Sequence, residues 1–372
     1  MSASGRSSDA THHRPSPRPH RRCATPAPPS RARRNALAMN APHSRRLYHF
    51  GDHLLAISAP LQTLVPADPD SAADISVTIA EPSAHPAEVT TWRHRWMEAD
   101  GRVNLSLAHE ETGYRLRFHD QCDFLIDSAG SAILAQPLPD LSTETFEHLL
   151  VDQALPRVLS HRGELVAHAS VVEIGNVMAT FIGRSGWGKS TLASLLHGAG
   201  HRLLSDDCAV LRVRGEHVEA LPTYPSLRMY EDSIGQTVSA DAEISPVATY
   251  TRKKRVTFDP PAYARATPAV RAIYLLNNPA DPAEHHTITP LSPMLACMAM
   301  IEHSFRLDVT DAEQTRHLLA QAATVLRQVP AFSLRYPRDY TANQQLIEQL
   351  LRHIHTAPAF LLPSRKDARR GG

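Results

Sequence analysis

The sequence predicts an α/β fold, with a compact core around a phosphate-binding loop, a mostly β N-terminal region and C-terminal helices. Residues 183–190 read Gly-Arg-Ser-Gly-Trp-Gly-Lys-Ser and match the pattern G-x-x-x-x-G-K-[ST] in full. A short segment with strand-like character, residues 202–205, follows the loop and leads directly to Asp206 and Asp207. Apolar and polar residues alternate along much of the chain before this core, as they do in half-buried strands.

The first ordered region, predicted over 47–160, is mostly β and ends in a helix. Apolar residues alternate with polar ones over 103–107 and over 114–118, and a turn signal at 111–113 separates these stretches. This pattern predicts a β-hairpin. A helix is predicted to begin near Ser142, because Phe146, Leu149, Leu150 and Ala154 share one helical face.

The core region is predicted over 161–356. A strand is expected within 165–172, then a tight turn at Gly175-Asn176, then a buried strand over 177–182 that enters the loop. An amphipathic helix after the loop carries Leu192, Leu195 and Leu196 on one face, and another strand is expected over 202–205. Helices are predicted over 293–304, 311–328 and 342–354, the middle one with a capping box from Thr310 to Glu313.

The loop has the residue types that bind nucleotide phosphates. Its glycines allow backbone N–H groups to turn inward around phosphate oxygens, and the next helix adds the positive end of its dipole. Lys189 is placed to reach the β- and γ-phosphates, and the Ser190 hydroxyl is the expected Mg²⁺ ligand. The predicted nucleotide-binding residues are Gly183, Arg184, Ser185, Gly186, Trp187, Gly188, Lys189, Ser190 and Thr191.

Asp206 and Asp207 are candidate partners of the bound phosphates. One carboxylate could bind Mg²⁺, directly or through water, while the other accepts a proton from an incoming hydroxyl. An Asp-Asp pair that merely starts a turn is the alternative. The Asp-Asp pair lies directly after a predicted strand and close to the phosphate loop, which favours the role in metal binding and proton transfer.

Residues 1–46 form a basic arm that is predicted to be disordered. The segment holds ten arginines and one acidic residue, Asp9, and is rich in Pro, Ser and Ala. Such a composition cannot bury enough apolar surface to offset its ordering entropy. It could be a tether for an anionic partner, a transit-like leader, or a translated region upstream of a true start at Met39. The end of the chain, 357–372, is predicted to be a basic tail.

The overall composition does not indicate a nucleic-acid-binding protein, a membrane protein, a disulfide-rich protein or a zinc protein. The formal net charge is +1, which gives no general argument for nucleic-acid or membrane binding. No apolar run reaches the roughly 18 residues needed to span a bilayer, and no signal peptide is visible, so a cytoplasmic location is expected. The four cysteines lie far apart, and the 22 histidines form no H-E-x-x-H motif, so neither disulfides nor a zinc site is suggested.

Taken together, His168, the loop at 183–190 and the segment Gly200-His-Arg-Leu-Leu-Ser-Asp-Asp207 resemble the HPr kinase/phosphorylase family and its relatives. The resemblance is specific over 165–213. It implies a P-loop kinase core of the HPr-kinase type, with ATP and Mg²⁺ as cofactors. It also implies that Asp206 is the base that activates a serine hydroxyl, that Asp207 is the Mg²⁺ partner, and that His168 assists near the γ-phosphate.

The sequence departs from the family after the aspartates. Family members carry a Gly-rich signature there that is tied to the reverse, dephosphorylating reaction, and residues 221–235 do not match it. This puts the reverse reaction and the HPr substrate in doubt. The β-rich front region is similar instead to HPr-kinase-like proteins found beside peptide natural-product genes, including kinases of lasso peptide precursors, which implies a peptide serine substrate.

The basic run Arg252-Lys-Lys-Arg255 has two interpretations. It is either a solvated loop or a cationic loop that closes over the triphosphate or over an acidic substrate.

The sequence thus predicts a Mg-ATP-dependent serine kinase acting on a protein or peptide, with Asp206, His168 and Lys189 as catalytic residues and Ser190 and Asp207 as metal ligands. A nucleotide-gated ATPase or binding module, and a small-molecule kinase on the same core, are the alternatives. The sequence leaves homo-oligomerisation open.

Overall fold

The computed structural model describes residues 45–89, 91–98, 100–224, 226–239, 242–258, 268–281, 283–338 and 342–357. Within these residues it has a mixed α/β fold with two nine-stranded sheets, a small third sheet, and helices. The predicted basic arm at 1–46 lies almost entirely outside the described residues, and so does the predicted tail at 357–372. In the part of the chain that is described, no helix combines the length and apolarity needed to cross a membrane.

The first sheet contains the strands that precede the helical connection. Its order is β3-β1-β2-β4-β9-β8-β7-β6-β5, and the segment from β5 to β9 is an antiparallel meander. The predicted hairpin is confirmed, since β6 and β7 pair in antiparallel fashion across a turn at 111–112. The strands are β1 (Arg46–Phe50), β2 (His53–Ile57), β3 (Val65–Pro66), β4 (Ile75–Ile79), β5 (His94–Met97), β6 (Val103–Glu110), β7 (Gly113–Phe118), β8 (Cys122–Asp127) and β9 (Ala132–Pro137).

Three consecutive helical segments connect the two large sheets. The first helix begins directly after Ser142, close to the predicted start. Ser142 is its N-cap, because the side chain accepts a hydrogen bond from the backbone N–H of Thr145. The middle segment is π-helical. This form is rare in proteins, and where it occurs it is often part of a functional site. The segments are α1 (Thr143–His148), α2 (Leu149–Ala154) and α3 (Leu155–His161).

The second large sheet carries the predicted phosphate-binding motif. Its main order is β10-β14-β15-β19-β12-β11-β13, and β21 pairs with β19 and β20. Its strands are β10 (Leu165–Ala167), β11 (Ala169–Ile174), β12 (Val177–Ile182), β13 (Arg202–Ser205), β14 (Ala209–Arg214), β15 (His217–Leu221), β19 (Ala269–Leu276), β20 (Thr287–Pro290) and β21 (Ala331–Arg335).

A small antiparallel sheet of three strands lies beside the second sheet. Its order is β16-β18-β17, with β16 (Ser226–Met229), β17 (Glu243–Pro246) and β18 (Lys254–Thr257). The remaining helices are α4 (Lys189–Gly198), α5 (Glu231–Thr237), α6 (Pro293–Glu302), α7 (Ala312–Leu326) and α8 (Asn343–Thr356).

The predicted C-terminal helices are present, but the start of α7 differs in detail. Its N-cap is Asp311, which accepts hydrogen bonds from the backbone N–H groups of Glu313 and Gln314. The predicted cap, Thr310, instead bonds to Asp308. The carboxylate of Asp311 accepts both hydrogen bonds, so the capping-box prediction was wrong by one residue.

The hydrophobic core joins the two large sheets. One buried cluster contains Phe50 and Phe124 of the first sheet, Leu155 of the helical connection, and Val210 and Tyr224 of the later chain. A second cluster surrounds β12 and α4, where Phe181, Leu192 and Tyr274 are fully buried. These apolar contacts hold the strands that carry the motif in a rigid frame.

Candidate active site

Strand pairing brings three sequence-predicted segments to one edge of the second sheet. Strand β11 lies between β12 and β13 and is antiparallel to both. Ala169 pairs with Ile182, and Val171 pairs with Ser205. The start of β11 therefore meets the ends of its two neighbours. His168, the phosphate-binding loop and the two aspartates after Ser205 converge there.

The predicted phosphate-binding loop spans 183–188 between β12 and α4. Lys189 begins the helix and is 3% exposed. Its Nζ donates hydrogen bonds to the carbonyl oxygens of Gly183 at 2.9 Å and Arg184 at 3.3 Å, and lies 3.9 Å from Asp207 Oδ1. Burial lowers the pKa of Lys189, and the carboxylates of Asp207 and Asp206 oppose that effect. The lysine is thus held inside the curve of the loop.

Gly188 lies close to the chain segment that follows β21. Its φ is +90°, and a Cβ there would lie 2.7 Å from Arg338 Nη1 and 2.8 Å from the Tyr336 hydroxyl. Arg338 Nη2 also donates to the carbonyl oxygen of Asn277 at 2.7 Å. Arg338 and Tyr336 therefore support the loop from the side. No sequence motif singled out either residue.

Asp206 is fully buried and bonded on both carboxylate oxygens. Oδ1 accepts a hydrogen bond from the Ser170 hydroxyl. Oδ2 accepts one from Ser190 Oγ at 2.9 Å and one from the backbone N–H of Arg228 at 3.2 Å. Burial and the adjacent charge of Asp207 raise the pKa of Asp206 to about 6. This carboxyl group therefore titrates close to neutral pH.

Asp207, the second of the two aspartates, remains ionised. Its φ is +57°, a left-handed conformation that Asp tolerates better than most residues. Its Oδ1 lies 3.0 Å from His168 Nε2. Burial alone would raise the pKa of Asp207, but the hydrogen bond with His168 and the charge of Lys189 hold it well below its usual range. The pKa values of the two adjacent carboxyl groups are thus shifted in opposite directions.

His168 lies between β10 and β11 and is partly exposed. Burial lowers its pKa, the charge of Lys189 adds to that shift, and Asp207 opposes it. Burial thus favours the neutral form of the imidazole. The ring also packs near Phe305, with ring centroids 5.9 Å apart.

Arg228 connects the aspartates to the helical connection between the sheets. It is 2% exposed and forms a salt bridge with Asp152 of the π-helical segment α2. Its Nη1 donates to the Tyr224 hydroxyl at 3.0 Å and lies 3.5 Å from Asp207 Oδ2. Sequence reasoning missed this network, because nothing in the local sequence relates Asp152 to residues more than seventy positions later.

The four residues of the basic run have different surroundings. Arg252 is exposed, and Lys254 Nζ lies 3.8 Å from a glutamate of α5. Arg255 is 3% exposed. Lys253 Nζ donates a hydrogen bond to Ser185 Oγ at 3.2 Å and therefore reaches the phosphate-binding loop. The segment is therefore not a uniformly solvated loop.

The residues at this edge fit Mg²⁺ chemically. Mg²⁺ prefers hard oxygen ligands and is commonly bound by one or two carboxylates together with substrate phosphates. The Ser190 hydroxyl and the carboxylates of Asp206 and Asp207 supply such oxygens within one small region. The backbone N–H groups of the loop are of the type that binds phosphate.

No family model and no curated protein matches the chain. Among solved structures, one neighbour is the Hpr(Ser) kinase/phosphatase from Coxiella burnetii, with 12% sequence identity. The match covers 51% of this chain and 89% of that chain, with a TM-score of 0.25. Because the identity and the TM-score are both low, this similarity carries no argument about activity.

Proposed function

We propose that this protein is a Mg-ATP-dependent serine kinase that phosphorylates a protein or peptide. The convergence of Lys189, Ser190, Asp206 and Asp207 at one sheet edge carries the proposal. Ser190 Oγ lies 2.9 Å from Asp206, and Lys189 Nζ lies 3.9 Å from Asp207. A phosphate loop joined to two carboxylates supplies the parts that phosphoryl transfer requires.

In this proposal, these residues mainly position the nucleotide phosphates and stabilise their negative charge. The loop N–H groups and Lys189 bind the β- and γ-phosphates, with Lys189 released from its contacts with Gly183 and Arg184. Ser190 and Asp207 are the proposed Mg²⁺ ligands. When bound, the ion supplies positive charge that offsets charge on the phosphate oxygens.

Asp206 is the proposed base for the acceptor. The serine oxygen forms the new O–P bond, its proton passes to the Asp206 carboxylate, and the bond from the γ-phosphorus to the bridging oxygen breaks, so ADP leaves with that electron pair. A pKa of about 6 supports this role, because a base works best when its pKa is near the operating pH. His168, whose Nε2 lies 3.0 Å from Asp207 Oδ1, is proposed to assist near the γ-phosphate.

The proposal is tested by incubating the protein with Mg²⁺, γ-labelled ATP and a library of serine-containing peptides. A labelled phosphoserine identified by mass spectrometry is the expected product. Normal ATP binding without transfer to any peptide or protein contradicts the kinase assignment. Fast phosphate release without an acceptor then favours a nucleotide-gated ATPase. A phosphorylated metabolite favours a small-molecule kinase.

A further inference from the structure

The hairpin between β17 and β18 brings a second lysine to the phosphate-binding loop. Lys253, just before β18, donates from Nζ to Ser185 Oγ at 3.2 Å. Ser185 is the third residue of the motif and lies between Gly183 and Gly186. Lys253 thus contacts the same loop whose carbonyl oxygens at Gly183 and Arg184 hold Lys189.

The hairpin is attached to the site and to the helical connection. Strand β18 pairs with β16, whose Arg228 donates its backbone N–H to Asp206. On the hairpin loop, the backbone N–H of Thr249 bonds to Thr145 Oγ1 of α1 at 3.0 Å. These contacts on two sides fix the loop that carries Lys253.

Lys253 contacts neutral groups in the structure. Besides Ser185, its ammonium group lies 5.7 Å from the centre of the Tyr230 ring. Within the described ranges, no carboxylate forms a salt bridge with Lys253, whereas the adjacent Lys254 has one. A lysine held by a hydroxyl and an aromatic ring keeps most of its charge available for an anionic ligand.

The charge of Lys253 acts on the same groups that surround the phosphate site. It contributes to lowering the pKa of Lys189, of His168 and of Asp207. Two lysines near one loop repel each other, and a phosphate group between them would remove that repulsion. A terminal phosphate beyond the loop would meet Lys189 from inside and Lys253 from the Ser185 side.

We propose that Lys253 is a ligand of the terminal phosphate of the bound nucleotide and discriminates triphosphate from diphosphate. This inference rests on the nucleotide site of the proposed function, but not on the nature of the acceptor. It selects one residue from the basic run, because Lys253 alone of the four has a described hydrogen bond to the loop. A cation there stabilises charge on the transferring phosphoryl group and is therefore a catalytic residue.

The test compares Lys253→Met with Arg252→Met and Lys254→Met, which remove neighbouring cations of the same run. Calorimetry measures the Kd of each full-length variant for Mg-AMPPNP and for Mg-ADP. Lys253→Met is expected to weaken Mg-AMPPNP binding roughly tenfold or more, with Mg-ADP binding changed less than about threefold, since charge-assisted bonds to phosphate are strong. Lys253→Arg should restore most of the preference for the triphosphate, and both neighbouring variants should retain it.

The assignment is overturned if Lys253→Met loses the same affinity for Mg-AMPPNP and for Mg-ADP, or loses no affinity for either. A Lys253→Met variant whose only defect is a higher KM for an acidic acceptor also overturns it, because Lys253 would then bind the acceptor. Failure of the proposed function has a different signature. In that case the wild-type protein binds Mg-AMPPNP with the Lys253-dependent preference and yields no phosphoserine.

Discussion

Ser190 and Asp206 are joined by a hydrogen bond of 2.9 Å, although they are sixteen positions apart in the chain. The bond links the first turn of α4 to the end of β13, the two elements that bracket the proposed phosphate site. The same carboxyl group accepts a hydrogen bond from the Ser170 hydroxyl of β11. Three elements of the second sheet region are thus tied together through Asp206.

Replacing Asp206 should abolish transfer while preserving nucleotide binding. Asp206→Asn removes the proposed base, and loss of general-base catalysis lowers rates by roughly 10²–10⁴-fold. The Kd for ATP should change by less than about threefold, because the loop N–H groups and Lys189 remain. Phosphopeptide formation and ATP binding are the two measurements. Asp52→Asn, an exposed carboxylate paired with Arg212, is the matched control, and unchanged transfer by Asp206→Asn contradicts the base assignment.

Replacing Lys189 should weaken binding and transfer together. Lys189→Ala removes the ammonium group that is expected to contact the β- and γ-phosphates, so both ATP affinity and the transfer rate should fall by roughly tenfold or more. Equilibrium binding of a fluorescent ATP analogue and initial rates of transfer measure the two effects. Lys254→Ala changes a lysine of the basic run that pairs with Glu231, and should leave both quantities near wild type.

Adding a single methyl group at Gly188 should disrupt the loop. Gly188→Ala places a Cβ 2.7 Å from Arg338 Nη1 at a positive φ, so either the ends of the Arg338 and Tyr336 side chains or the loop itself must shift. Backbone strain of this kind costs about 1–3 kcal/mol, and ATP affinity should fall along with stability. Gly175→Ala is the control, since its φ is +62° and the new Cβ meets nothing within 4 Å. The control should lower the midpoint of unfolding without changing ATP affinity.

The buried ion pair between Arg228 and Asp152 should contribute more to stability than an exposed pair. Asp152→Asn leaves Arg228, which is 2% exposed, without its principal counter-charge. Breaking a buried pair from one side costs about 3–5 kcal/mol, whereas exposed pairs contribute about 0–1 kcal/mol. Asp281→Asn, which breaks the exposed pair with Arg335, is the control. Urea unfolding measures the loss in free energy of unfolding for each of the two variants. Similar losses would show that Arg228 finds another partner.

The raised pKa of Asp206 predicts a pH dependence of stability. Its pKa is about 6 in the folded state against 3.8 unfolded, so the folded protein binds this proton more tightly. The contribution is fully present below pH 3.8 and is lost as pH rises through about 6. The free energy of unfolding of the wild type, relative to Asp206→Asn, should therefore fall by roughly 1–3 kcal/mol between pH 4 and pH 7. Denaturant unfolding at both pH values measures this, and a flat difference contradicts the shift.

Local patterns were sufficient to predict the elements that carry the motif. The buried strand over 177–182 and the strand over 202–205 have the predicted bounds, and the helix after the loop begins at Lys189. Periodicity and turn residues act over a few positions, so they can be recognised in one sequence. The start of α7 was less certain from sequence, because Thr310 and Asp311 are both good N-caps.

The sequence by itself determined the mixed α/β class, the phosphate-binding motif and the two carboxylates that follow it, since these depend on residue type and short-range spacing. Tertiary structure alone decided which distant residues meet the motif. His168 reaches Asp207 across 39 positions, Arg228 reaches Asp152, and Lys253 reaches Ser185. Those contacts arise from strand order and register, which long-range packing of buried side chains selects. A single sequence contains no direct record of that packing.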